Sequence, residues 1–181
     1  MTVGPDGLLR KARYLPSPNC DERPAGTPAT LLLVHAISLP PGRYGSGDIE
    51  RFFTNRLDPE AHPYFREIAA LRVSAHFLVG RDGRVVQFVP VQLRAWHAGA
   101  SCWRGRERCN DFSIGVELEG TDDSAFEPVQ YRRLRELVCS LRAALPLQDI
   151  AAHSDVAPGR KSDPGPRFDW PRLLTDLSCL E

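Results

Sequence analysis

The sequence has no net charge, because 23 Lys and Arg balance 23 Asp and Glu. That excludes the overall basic footprint of a nucleic-acid binder, and attraction to an anionic membrane, though a local basic patch is still allowed. It has no apolar run near the roughly 18 residues of a membrane span. Its first residues, MTVGPDGLLRKARYL, hold no stretch that would serve as the apolar core of a secretory leader, which points to the cytoplasm. Cysteine is scarce and unpaired. Cys20, Cys102, Cys109, Cys139 and Cys179 are odd in number, and none has the spacing of a zinc knuckle or a redox pair. Reduced thiols with no part in the chemistry are expected.

What is present is a globular composition, 42 % hydrophobic and 25 % charged. A chain of 181 residues suits one domain over 1–181, hiding roughly 70 % of its unfolded surface. Sixteen prolines and 14 glycines promise many loops. Residues 1–28, rich in Pro, Gly and charge toward their end, read as an irregular lead-in packed on that domain.

The run from Thr30 to Ile37 is continuously apolar apart from His35, as a strand buried on both faces would be. Residues 48–57 have helical spacing, with Asp48 as N-cap. Residues 75–89 read as a β-hairpin whose Asp82-Gly83 pair suits a type I′ turn. Residues 98–111 read as an arginine-rich loop and Phe112–Leu118 as a strand. Residues 128–145 are the clearest helix, opened by Pro128. A last short strand over Asp149–Ala152 and a helix from about Asp169 complete a mixed α/β domain.

His35, Glu117 and His153 each fall at or near the end of an expected buried strand, where a titratable group is costly unless a partner or a metal compensates it. Any one of these histidines alone is more simply a hydrogen-bonded core imidazole. The segment HSDVAPGRKSDPG adds a loop able to fold back and bring Asp163 to His153. With His35 this makes a zinc set of three protein ligands with one open position. Glu117 is then placed to act as general base, and Lys161, two residues before Asp163, to stabilise an oxyanion. His97, in AWHAG, is assigned near the site but off the metal, His76 to structure and His62 to the surface. Arg104, Arg106 and Arg108 read either as a solvated run or as a grip for ligand carboxylates, and Trp96 as core or as a platform for a sugar ring.

VHAISLPPGRYG, RVSAHFLVGRDG, RAWHAG, GRERCNDFSIGVELEGTD and AHSDVAPGRKSDPGPRFDW together resemble, in order, the type-2 family of N-acetylmuramoyl-L-alanine amidases, and within it those acting on 1,6-anhydro-muropeptides. The resemblance implies a central mixed β-sheet flanked by helices, a fold shared with peptidoglycan recognition proteins. It implies zinc on His35, His153 and Asp163, with Glu117 and Lys161 catalytic. Arg72, Trp96 and Arg108 match positions near bound muropeptide, and His97, read from its own context as near the site, is grouped with them as a substrate contact. The implied reaction is hydrolysis of the lactyl–L-alanine amide of anhydro-muropeptides during cytoplasmic cell-wall recycling, with no nucleic acid, membrane or obligate protein partner. One departure is Ala36, where the family usually has Asn after the first zinc histidine; a methyl cannot hydrogen-bond, so a substrate contact is missing or replaced. Rival readings are a binding module that holds muropeptide uncut, an exported amidase acting on intact wall, and a purely structural zinc.

Overall fold

The computed structural model describes residues 1–178; Cys179 and the rest of the expected 1–181 unit lie outside them. In chain order, β1 (Arg13–Tyr14), β2 (Cys20–Glu22) and β3 (Leu31–Ile37) lead to helices α1 (Asp48–Phe53) and α2 (Pro63–Ile68). β4 (Phe77–Val79), β5 (Val85–Gln87) and β6 (Leu93–Ala95) follow, then a ribbon of β7 (Cys102–Trp103) and β8 (Arg106–Glu107), a 3-10 turn (Cys109–Phe112) and β9 (Ser113–Glu119). α3 (Pro128–Arg142), β10 (Asp149–Ala152), the one-turn α4 (His153–Val156) and α5 (Trp170–Ser178) complete it. No helix among the described residues is long and apolar enough to cross a membrane.

The main sheet has the order β1-β5-β4-β9-β3-β10. β4, β9, β3 and β10 are parallel, whereas β5 pairs antiparallel with β4, so the sheet is mixed as expected. Alternation along the central strands divides the interior. Leu32, Val34, Ile114, Val116 and Leu118 pack with Leu134, Leu137, Val138 and Leu141 of α3 and Leu173 of α5. On the other face Leu31 and Leu33 meet Phe112, Ala151 and Val156, while Leu78, Val86 and Phe88 meet Phe52, Phe53 and Phe65 of α1 and α2. Burying each such side chain is worth about 1.5–3 kcal/mol, which holds the parallel strands in one register.

Several local expectations are corrected. The lead-in is not irregular throughout: β1 extends the main sheet beside β5, and β2 pairs with β6. The hairpin turn is not type I′, because only Gly83 (φ 82°) has positive φ. Gly83 N–H donates to the Gly80 carbonyl and Gly80 N–H to that of Arg84, which is a three-residue loop with Gly83 in the left-handed position. Gly47, not Asp48, caps α1, and that helix stops at Phe53 because Asn55 turns left-handed (φ 58°). α3 ends at Arg142, before the run of apolar spacing does, since Leu145 precedes Pro146 and is steered out of helical conformation. Residues 63–68 form a helix that hydrophobic spacing did not reveal, and His62 is its N-cap, its Nδ1 accepting from Tyr64 N–H at 3.1 Å. Within the expected loop 98–111 lies the β7–β8 ribbon.

Candidate metal centre

Parallel register assembles the site. His35 on β3 is paired with Glu117 on β9, and Val34 is paired with Ala152 on β10, so His153 follows immediately at the strand end beside His35. Three neighbouring strands thus deliver His153, His35 and Glu117 in a row at their C-terminal ends, where sites collect in such sheets. Asp163 returns by the loop after α4: its carbonyl accepts from Ser154 N–H at 3.0 Å, and Lys161 N–H donates to Ala157.

The resulting contacts are close. His35 Nδ1 lies 2.9 Å from His153 Nδ1 and 3.2 Å from Asp163 Oδ2, and His153 Nδ1 lies 3.1 Å from the same oxygen. Both histidines are buried. Two imidazole nitrogens and a carboxylate oxygen converging at these distances repel one another unless a cation or protons lie between them, and this donor set is one that zinc takes. Burial holds His35 down to about 4, so it stays neutral at pH 7, the form that ligates a metal. Burial opposes ionisation of Asp163 too, but its contacts with His153 and His35 outweigh that and keep the carboxyl below the ordinary carboxylate range.

Glu117 is 8 % exposed, and its Oε2 has no hydrogen-bond partner. Burial, reinforced by the Asp163 charge and opposed by Lys161, pushes its carboxyl well above the ordinary value. An orphaned buried carboxylate beside a convergent ligand set fits a base awaiting a water. Glu117, Lys161, His97 and the three converging side chains His35, His153 and Asp163 line one cavity of about 330 Å³. The cavity is also lined by Phe52, Phe53, Tyr64, Ile68, Leu71 and Val73, which give it an apolar wall. None of these wall residues is assigned to the site from the sequence alone.

The profile of the N-acetylmuramoyl-L-alanine amidases matches residues 25–166, more than half of the chain. The chain belongs to the N-acetylmuramoyl-L-alanine amidase family. It is accordingly an amide hydrolase. It is 55 % identical over 174 residues to the 1,6-anhydro-N-acetylmuramyl-L-alanine amidase AmpD of Escherichia coli K12, covering 95 % of each chain. A crystal structure of an AmpD derivative superposes with a TM-score of 0.95 at 51 % identity, covering 98 % of this chain and 99 % of that one. The E. coli amidase AmiD, solved with the substrate anhydro-N-acetylmuramic acid-L-Ala-D-gamma-Glu-L-Lys, superposes with a TM-score of 0.60 at 32 % identity, covering 86 % of this chain and 60 % of that one.

The other residues of interest in this amidase sit elsewhere. Arg72 lies between two wall residues, Leu71 and Val73, but its Nη1 turns back on the carbonyls of Ala69, Ala70 and Leu71. Trp96 does not line the cavity; its Nε1 donates to Asp21 at 3.1 Å. Arg108 faces a separate depression with Ser101, Cys102 and Glu107, and its Nε lies 3.4 Å from Asp111. Arg104 pairs with Asp149 at 3.2 Å, and Arg106 stacks 3.9 Å over the Phe112 ring. The arginine run therefore has partners within the chain. His76 is fully buried, accepting from Gly115 N–H at 3.0 Å and facing the Leu93 carbonyl at 3.1 Å, in keeping with a structural role.

Proposed function

We propose that this amidase hydrolyses the amide joining the lactyl group of 1,6-anhydro-N-acetylmuramic acid to the L-alanine of the stem peptide, using one zinc ion held by His35, His153 and Asp163. The observation that carries the reading is the meeting of those three side chains next to the unpartnered Glu117 carboxylate. When bound, zinc supplies Lewis acidity toward the carbonyl and lowers the pKa of water from 15.7 toward about 7.

The chain's own residues do the rest. Glu117, kept basic and dry in its pocket, takes a proton from the attacking water and returns it to the departing alanine nitrogen. The Lys161 ammonium stands at the cavity where negative charge develops on the carbonyl oxygen. The apolar wall from Phe52 to Val73 gives the ligand a surface to lie against and limits the water near Glu117. Arg72, Trp96, His97 and Arg108 belong to this reading as residues near the muropeptide. A cytoplasmic place in muropeptide recycling, with no obligate protein partner and one catalytic unit over the chain, completes the proposal.

The experiment is a release assay on anhydro-muropeptide and on polymeric peptidoglycan, with the protein as purified, after chelation and after zinc return. Release of peptide from the soluble anhydro-substrate, lost on chelation and restored by zinc, is expected. Full activity in the chelated protein, or preference for the polymer, overturns the proposal.

A further inference from the structure

Behind the ligand set lies a second row of polar groups. His35 Nε2, the nitrogen turned away from Asp163, is 2.9 Å from His97 Nδ1. His97 Nε2 is in turn 3.2 Å from Ser113 Oγ, and Ser113 Oγ donates to the Cys109 carbonyl at 2.6 Å. A hydroxyl has one proton. Because the Ser113 proton goes to that carbonyl, Ser113 accepts from His97, so His97 carries its proton on Nε2. Its Nδ1 is then an acceptor, and His35 Nε2–H must donate to it. The lone pair of His35 is thereby directed from Nδ1 toward His153 and Asp163.

The surroundings hold this row in place. The Asn110 side chain accepts from the backbone N–H groups of His97 (3.2 Å) and Ala98 (2.8 Å). Arg23 Nη1 donates at 3.0 Å to the carbonyls of both Asn110 and Asp111, fixing the 3-10 turn that contributes Cys109. Gly115 stands between Ser113 and Glu117 on the same strand face, and a Cβ there would sit 2.5 Å from His97 Cγ. The glycine leaves the space that the His97 ring fills. His153 has a simpler support, with Nε2 3.4 Å from the Ala98 carbonyl.

We infer that His97 is a positioning residue for the metal centre: through Ser113 and the Cys109 carbonyl it sets the His35 tautomer that presents Nδ1 to the metal, with Gly115 as the seat of its ring. The inference rests on the proposed zinc site. Outer groups of this kind are typically worth 10–100-fold in metal affinity.

The test is zinc affinity, measured by competition with a chromophoric chelator at one fixed pH. His97→Phe keeps a ring over Gly115 but removes the acceptor, and is expected to weaken zinc binding about 10–100-fold with the fold intact by circular dichroism. His97→Asn restores an acceptor close to the Nδ1 position and is expected to recover most of that loss, which a merely space-filling role would not do. In zinc-loaded wild-type protein, nitrogen NMR should find scalar coupling across an N–H···N bond between the two rings, with the proton on His35 Nε2. Equal affinity in His97→Phe, no recovery in His97→Asn, or a proton on His97 Nδ1 overturns the inference. If His97→Phe fails to fold, the NMR measurement on wild-type protein decides alone. Wild-type protein that takes up no zinc is the separate signature of failure of the zinc reading, and removes both.

Discussion

Glu117→Gln separates catalysis from stability with opposite signs. Glutamine has nearly the same shape but cannot take a proton from water, so the general-base contribution of about 10²–10⁴ in turnover should vanish. At 1.36 kcal/mol per tenfold, that is roughly 2.7–5.5 kcal/mol of barrier. The same change removes a carboxylate whose Oε2 is buried without a partner. A neutral amide in the same place carries no cost of ionisation, so the metal-free variant should be more stable than wild type at neutral pH. The sign follows from the raised carboxyl: the folded wild type resists ionisation, so it loses stability as pH rises from the ordinary carboxylate value toward its raised folded value. The gain from glutamine should be absent near pH 4 and grow above it. Peptide release followed by chromatography, zinc content by emission spectrometry and urea melts at several pH values supply the data. A variant within tenfold of wild-type turnover, or one that has lost its zinc, would refute the assignment of Glu117 as base.

Lys161→Ala should lower turnover by about 10²–10³ with zinc content unchanged, as expected for a cation that stabilises developing charge and holds no metal; loss of metal in that variant would contradict the scheme. Zinc at 100 times its Kd should stabilise the fold by about 2.7 kcal/mol, and this gain should disappear on chelation in a calorimeter. Leu134→Ala, in the fully buried stripe of α3, should cost about 2–5 kcal/mol in chemical denaturation while leaving zinc affinity alone.

Much of the fold was legible because its signals are local. The apolar run of β3, the helical spacing of α3 and the turn residues at 82–83 each act over a few positions. Where expectation failed, the deciding contact was distant or the local geometry had two solutions. A Gly after Asp serves a type I′ turn or a three-residue loop equally well, and helix α2 is too short to show a period. Trp96 and the arginines were ambiguous for a different reason. Their partners, Asp21, Asp149, Phe112 and Asp111, are identified only once the chain is folded.

The candidate site shows the same division. The residue types and the fold-back segment HSDVAPGRKSDPG carry the donor set and base of the proposed zinc site in the sequence itself, because such roles depend on side-chain functional groups. Nothing local shows which nitrogen of His35 faces inward, or why Gly115 must be glycine. His35 and His153 are 118 positions apart, and only parallel pairing of β3 with both β9 and β10 puts them side by side with Glu117. The sequence by itself determined the central strands, the long helix, the family and the reactive groups. The tertiary structure decided the distances between those groups, the burial that shifts His35 and Glu117, and the support of His35 by His97, since each depends on strands brought together across the whole chain.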